Sequence, residues 1–163
     1  MELRKIDLEK YSYPLRTLLL GNIDTWQSML NVIEGLTPEQ LQYKHQGIEQ
    51  RSIAEMVVHA IDTQYGFYTK HLVLGENIPP ALYPDLSKTA DEAFKMIGET
   101  FEKTLALWEK LTPEDFSKEI KTDWGQILTG ELALLQSITH THYHVSEICF
   151  LRGLGGFPTK VMG

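Results

Sequence analysis

The stretch Thr139-His140-Thr141-His142-Tyr143-His144-Val145-Ser146-Glu147 lies inside a long helical run and carries three of the six histidines in the chain. Thr129 is placed as the N-cap of this run, which continues for about 24 residues to Gly153 or Gly155. One broad side of the run is apolar, with Leu132, Leu134, Leu135 and Phe150. A helix of this kind predicts packing against further helices.

Three other stretches have the apolar spacing of three and four residues that is typical of amphipathic helices. With the run above, the predicted helices cover residues of about 14–35, 52–74, 90–111 and 130–153. Ser52 and Glu55 form a capping box at the start of the second, and Gly35 and Gly75 are placed to end the first two. Four long helices without a convincing series of strands predict an all-α fold, a four-helix bundle in one domain of residues 1–163.

The connections between these helices contain shorter signals. Thr37-Pro38-Glu39-Gln40 and Thr112-Pro113-Glu114-Asp115 each predict a short helical turn, and we prefer this interpretation to an internal repeat. Residues 77–86 contain three prolines and are predicted to form an extended linker. Residues 116–126 have a mixed pattern that is compatible with a loop or with a short hairpin.

Composition restricts the class of protein. The chain is 42% hydrophobic and 23% charged, with a net charge of −7 and a pI near 5.3. An acidic chain is a poor partner for nucleic acid, whose binding depends on neutralising phosphates. No apolar run approaches 20 residues and the first residues lack the apolar core of a signal peptide, so we expect a cytoplasmic protein that does not enter the membrane. The single Cys149 excludes an intramolecular disulfide and a Cys-rich zinc site.

His140 and His144 are candidate metal ligands because residues four apart lie one turn above each other on a helix. Glu147 lies on nearly the same face, whereas His142 projects roughly 180° away from the pair. Small and polar residues in mid-helix surround the pair, as in a buried metal or ligand site. The alternatives are a surface pair, or core histidines satisfied by hydrogen bonds.

Two histidines need a third ligand, and the candidate is His59 in the second predicted helix. His45 lies in a polar loop and His71 near a helix end. His59 projects roughly 160° from the centre of the apolar arc of its helix, so spacing alone is compatible with a solvent-facing histidine.

Two segments of the chain together resemble the DinB/YfiT-like superfamily of four-helix bundles. The first is Arg51-Ser52-Ile53-Ala54-Glu55-Met56-Val57-Val58-His59-Ala60. The second is Gly130-Glu131-Leu132, followed by His140-x3-His144-x2-Glu147-Ile148-x2-Leu151-Arg152-x2-Gly155. The usual family phrase here is His-x3-His-x2-Gln-Ile, followed by Leu-Arg and Gly. Helix order and chain length agree with the family from end to end.

The resemblance implies a divalent metal ion bound by His59, His140 and His144, with His59 facing inward. Three nitrogen ligands suit Zn, Ni, Fe or Mn. The chain departs from the family in having Glu147 where Gln is usual. This carboxylate is a candidate fourth ligand, a hydrogen-bond partner of His144, or a general base in catalysis.

The resemblance also implies an activity. Family members include S-transferases that use bacillithiol, mycothiol or glutathione, and a thiol-dependent isomerase. By similarity, the metal would activate the sulfur of a low-molecular-weight thiol for attack on an electrophilic small-molecule substrate. The alternatives are a non-catalytic metal or small-molecule binding protein and a metal-dependent hydrolase. The family and the apolar helix faces favour a homodimer.

Other polar side chains near the histidines have weaker claims to a role. Tyr65, Tyr143 and Glu147 are candidates for positioning a substrate or moving a proton. Core packing of the tyrosines and a solvated position for Glu147 are the alternatives. Cys149 lies opposite the His140 face, so we interpret it as a small buried apolar residue rather than a ligand or nucleophile.

Overall fold

Four long helical elements form a bundle in the computed structural model, which describes residues 3–47 and 51–157. Residues 1–2, 48–50 and 158–163 of the predicted domain lie outside the described residues. The elements, after a short 3₁₀ turn at Leu8–Lys10, are α1 Leu15–Ile33, α2 Pro38–Leu41, α3 Ile53–Ile61, a π-helical segment Asp62–Val73, α4 Ala90–Trp108, α5 Pro113–Ser117, β1 Glu119–Lys121, β2 Ile127–Thr129 and α6 Gly130–Gly155. The all-α four-helix architecture expected from the sequence is confirmed.

The second predicted helix differs from expectation in its geometry. It begins as predicted, because the Ser52 hydroxyl accepts the Glu55 N–H at 3.2 Å and the Glu55 carboxylate accepts the Ser52 N–H. After Ile61, however, the helix continues as the π segment rather than as an α-helix. Each π turn takes one more residue than an α turn, so side chains beyond Ile61 point in directions that α spacing does not predict.

The first and last helices lie side by side and run parallel. Near their starts, the Tyr13 hydroxyl donates to the Glu131 carboxylate at 2.5 Å. Near their ends, the Arg152 guanidinium donates to the Val32 carbonyl at 2.7 Å. The bundle therefore places the first and the last long helix side by side in one layer.

The other layer contains the π segment and α4. The Trp108 indole at the end of α4 donates to Thr69 near the end of the π segment at 3.0 Å, so these two elements also run parallel. This layer runs opposite to the first. Phe67, late in the π segment, packs on Trp124, which precedes α6. Residues 74–89 connect the end of the π segment to the start of α4.

The described parts of the connections contain the short elements that the sequence suggested. Thr37 and Thr112 each cap a short helix through a complete capping box. The mixed stretch before α6 is a hairpin rather than a loop, with β1 and β2 antiparallel and Ile120 opposite Leu128. Both of these residues are buried. None of the helices among the described residues is long and apolar enough to cross a bilayer.

Candidate metal centre

Three histidines from two helices meet in one cluster. His59 comes from α3, and His140 and His144 come from one face of α6, where residues four apart are neighbours. The ring centroids of His59 lie 5.2 Å from His140 and 5.0 Å from His144, and those of His140 and His144 are 4.5 Å apart. One nitrogen of each ring lies within 4.8 Å of the others. The structure therefore brings together the three residues that the family resemblance selected.

His59 does not face solvent, which spacing alone had allowed. The apolar arc of α3, with Ile53, Val57 and Ile61, is fully buried in the core. The opposite side of α3 packs against α6, so His59 is half-buried against the other two rings. A helix covered on both sides has no free face, and its apolar arc does not predict which polar residue points inward.

The distance between two ring nitrogens fits a metal ion. Nε2 of His140 and Nε2 of His144 are 3.3 Å apart. Two ligands of one tetrahedral ion, each about 2.0–2.1 Å from it, are separated by roughly 3.4 Å. Nδ1 of His140 is buried and has no hydrogen-bond partner among the described residues, so Nε2 is the nitrogen that its ring presents to the cluster.

Glu147 is bonded to one of the histidines. Its Oε2 lies 2.6 Å from Nδ1 of His144. A carboxylate in this position accepts the Nδ1 proton, which fixes the tautomer and leaves the Nε2 lone pair for a metal. Of the three roles considered for Glu147, this geometry matches the hydrogen-bond partner of His144. His144 is 4% exposed, so the bond orients a side chain that has little freedom.

Burial keeps His59 and His140 neutral. It is the largest of the causes that together lower the pKa of His59 to about 4, and the charges of Arg51 and His144 contribute less. Burial also lowers the pKa of His140 to about 4, with smaller effects from His144, His59 and Arg51. At neutral pH both rings are therefore unprotonated, which is the form that binds metal.

Tyr68 is a neighbour of the cluster that the sequence did not suggest. Its ring centroid lies 6.4 Å from that of His140, and burial raises the pKa of its phenol, so the hydroxyl stays protonated at neutral pH. Tyr68 is nine residues after His59, which on a regular α-helix is half a turn away. The π segment changes that direction, and no local sequence pattern predicted this segment.

The remaining candidates lie at different distances from the cluster. Tyr143 is 63% exposed, with its ring centroid 5.8 Å from that of His144. Tyr65 lines a separate cavity of about 250 Å³ whose walls include none of the three histidines. His142 is exposed, as its direction predicted. Cys149 is only partly buried against the core, so the expectation of a buried residue was too strong.

Comparison with known proteins points to one family. The family model of the DinB superfamily matches residues 23–148. None of the curated proteins matches the chain significantly.

Solved structures share the fold. YfiT from Bacillus subtilis, described as a probable metal-dependent hydrolase with an unusual four-helix bundle topology, aligns with a TM-score of 0.68 at 22% identity over 96% of this chain and 95% of its own. The DinB-like protein YjoA from Bacillus subtilis aligns with a TM-score of 0.63 at 18% identity, over 89% and 99%. A mycothiol-dependent maleylpyruvate isomerase aligns with a TM-score of 0.57 at 13% identity, over 88% of this chain and 63% of its own.

Proposed function

The chain belongs to the DinB superfamily, and we propose that its three clustered histidines bind one divalent metal ion that activates the sulfur of a low-molecular-weight thiol. The observation that carries the metal site is the approach of the ring nitrogens, above all the 3.3 Å between Nε2 of His140 and Nε2 of His144. Such an approach requires either an N–H that one ring donates to the other or a cation that both rings bind. A metal ion accounts for the geometry and for the orientation of His144 by Glu147.

The donor set decides what the centre offers a substrate. Three neutral imidazoles leave a divalent ion with its full charge and with open positions, so it can stabilise a thiolate or lower the pKa of water. His59 and His140 are unprotonated at neutral pH and need lose no proton to bind it. The protein thus supplies a positive centre without a charged ligand.

Activation of a thiol is favoured over activation of water because the Glu147 carboxylate is already hydrogen-bonded to His144. Among the residues that the structure describes, the cluster of potential ligands contains three histidines and no carboxylate, and Glu147 is hydrogen-bonded to His144. A thiol, with a pKa near 8.5, ionises far more readily than bulk water, whose pKa is about 15.7. A centre without a free base therefore suits a thiol better. The proposed reaction is a substitution: the thiol loses its proton to solvent, the thiolate forms a sulfur–carbon bond with an electrophilic small molecule, and the leaving group on that carbon departs with its bonding electrons.

The second candidate is metal-dependent hydrolysis. It is supported by the likeness to YfiT, which is described as a probable metal-dependent hydrolase and aligns over nearly the whole of both chains. The thiol proposal has a corresponding support in the mycothiol-dependent isomerase. A third candidate, metal binding without catalysis, shares the same ligands and differs only in the absence of turnover.

Metal stoichiometry tests the site. Protein loaded separately with zinc, nickel and manganese and then desalted should retain about one ion per chain for at least one metal, as one site of three ligands requires. His144→Ala should lose most of it. His142→Ala is the matched control, because His142 is exposed on the other side of the same helix and should leave stoichiometry unchanged. Retention of the full metal content by His144→Ala contradicts the site.

Turnover tests the function separately. Metal-loaded protein is incubated with glutathione, bacillithiol or mycothiol and a panel of electrophiles, and loss of free thiol is followed. The proposal expects consumption that requires metal and is lost in His59→Ala. Turnover of esters or amides without thiol would instead support hydrolysis. Full metal binding with neither activity would support a binding protein.

A further inference from the structure

A cavity of about 250 Å³ lies between the first half of the π segment and residues 78–82 of the connection to α4. Pockets that enclose drug-sized molecules measure about 300–1,000 Å³, so this cavity suits a small molecule or one group of a larger molecule. Ile78, one of its wall residues, is 64% exposed, so the cavity can be reached from solvent.

Two contacts hold the walls of the cavity together. The Leu82 N–H donates to Oδ1 of Asp62 at 2.9 Å. Gly66 and Pro79 approach each other so closely that a Cβ at position 66 would lie 3.2 Å from Cγ of Pro79. Each contact joins the π segment to the connection, and all four residues line the cavity. The shape of the cavity is therefore set by the fold.

Asp62 gives the cavity a negative charge. Among the residues that the structure describes, it is the only charged residue of the ten that line the cavity, and its carboxylate forms no ion pair. The Leu82 N–H occupies one of about four acceptor positions of a carboxylate. Burial raises the pKa of Asp62, and the hydrogen bond from Leu82 opposes that rise. A cation in the cavity would offset the cost of burying this charge.

The rest of the wall is unsuited to an anion. Pro79 and Pro80 have no N–H to donate, and the N–H of Leu82 is already bonded to Asp62. The Lys70 ammonium lies 5.8 Å from the centroid of the Tyr65 ring, but it does not line the cavity and pairs with Glu76 at 2.7 Å. A ligand rich in donors fits this wall better than one rich in acceptors.

Two aromatic side chains in the wall add an attraction for positive charge. Tyr65 and Phe67 both line the cavity, and the face of an aromatic ring attracts a cation. The Phe67 ring packs on Trp124, with 5.8 Å between the ring centroids. A calcium or magnesium ion is a poor occupant, because such ions take about six oxygen ligands and the wall contains one carboxylate. The apolar and aromatic wall favours an organic cation.

We propose that this cavity binds the primary ammonium group of a small organic molecule, with the Asp62 carboxylate accepting its N–H bonds. An ammonium carries three donors, which match the acceptor positions of Asp62 that Leu82 leaves free. The carbon skeleton beside the ammonium packs on Tyr65, Phe67 and Pro79. This site is additional to the metal centre and requires no metal.

The ammonium site is close to the metal centre but separate from it. Asp62 follows His59 by three residues. The Tyr68 ring lies between the two sites, with centroid distances of 5.3 Å to Phe67 and 6.4 Å to His140. None of the three clustered histidines lines the cavity. Cation binding can therefore be measured on metal-free protein, and its outcome does not depend on the proposed metal chemistry.

The test is a titration of the isotope-labelled, metal-free full chain with benzylammonium and with benzyl alcohol, followed by NMR of the backbone amides. The two probes have the same ring and nearly the same size, but only the first is charged at neutral pH. Benzylammonium should shift the amide signals of Asp62, Gly66 and Leu82. It should bind about tenfold or more tightly than the alcohol, as expected for a hydrogen bond to a charged group.

Asp62→Asn should weaken benzylammonium binding by about 10- to 100-fold, because it removes the charge. Its amide oxygen still accepts the Leu82 N–H, so the wall is kept, and the Leu82 amide signal of the free variant checks this. Asp85→Asn is the matched control and should bind like wild type. It removes the same charge from an exposed position in the same connection, outside the cavity wall.

Three results would each overturn the proposal. The first is a wild type that binds neither probe or binds both equally. The second is unchanged benzylammonium binding by Asp62→Asn. The third is an equal loss of binding in Asp62→Asn and Asp85→Asn, which would show attraction by the net charge of the chain rather than by this cavity.

Discussion

At the scale of single residues, the role of Glu147 distinguishes the possible functions of the candidate metal centre. Its carboxylate lies 2.6 Å from Nδ1 of His144, a distance typical of a strong, charge-assisted hydrogen bond. A group that only orients the ligating histidine needs an oxygen that accepts its Nδ1 proton, and an amide oxygen can replace a carboxylate in this role. A direct ligand or a general base depends on the negative charge itself. Substitutions that separate hydrogen bonding from charge therefore identify its role.

Glu147→Ala should weaken metal binding by about 10- to 100-fold, the usual cost of losing the group that orients a ligating histidine. Glu147→Gln should lose much less, because its carbonyl oxygen still accepts the Nδ1 proton of His144. Competition with a coloured chelator measures both affinities. If the Gln variant binds metal as poorly as the Ala variant, the carboxylate charge is needed and Glu147 is a ligand. Intact binding with lost turnover in the Gln variant would make it a general base.

At the scale of helices, the start of α6 depends on a close approach to α5. Gly130 follows the N-cap Thr129, whose hydroxyl accepts the Leu132 N–H at 3.2 Å. A Cβ at position 130 would lie 1.8 Å from the backbone carbonyl oxygen of Asp115. The backbone cannot yield as a flexible side chain can, so the contact fixes both the residue type and the placement of the helix that carries two of the three histidines.

Gly130→Ala should destabilise the protein by about 3 kcal/mol or more, since the clash moves α5 or α6 away from its packed position. Gly153→Ala is the matched control in the same helix, where an added Cβ meets nothing within 4 Å. There, the gain in helix propensity should stabilise by about 0.5–1 kcal/mol. Urea unfolding at one protein concentration measures both. Equal effects of the two substitutions would show that the close approach is not tight.

Local spacing predicted the helices but not the contacts between them. Apolar residues three and four apart are a property of one helix, so the four long elements could be placed within a few residues from the sequence. His140 and His144 were found for the same reason, because both lie on one helix. The π segment was not predicted, since residues such as Tyr65 and Tyr68 fit α spacing as well.

Contacts between distant parts of the chain required more than spacing. The inward direction of His59 came only from family resemblance, because it depends on the position of α6. Arg152 illustrates the same limit. Arg152 was part of the sequence motif that resembles the family, but the motif did not indicate its role. In the fold, its guanidinium donates to the Val32 carbonyl at 2.7 Å and to the Glu34 carbonyl at 3.2 Å. These carbonyls end α1 and would otherwise lack intrahelical partners.

At the scale of the whole molecule, the candidate metal centre lies between the two layers of the bundle. His59 comes from α3, which continues into the π segment of one layer, and the other two histidines come from α6 in the layer that runs in the opposite direction. A ligand that binds only the folded chain stabilises it in proportion to its concentration relative to Kd. A metal held by all three residues should therefore stabilise the entire fold, because unfolding either layer removes at least one ligand.

Metal at about 100 times its Kd should stabilise the protein by about 2.7 kcal/mol, which raises Tm by about 5–10 °C for a chain of this size. A chelator should reverse the shift. His59→Ala should show almost no shift although it leaves α6 untouched, whereas His142→Ala should shift like wild type. If His59→Ala keeps the full shift, the ion is held by α6 alone and does not bridge the layers. Differential scanning calorimetry of the three proteins, with and without metal, separates these outcomes, because only an ion shared between the layers requires a residue from each.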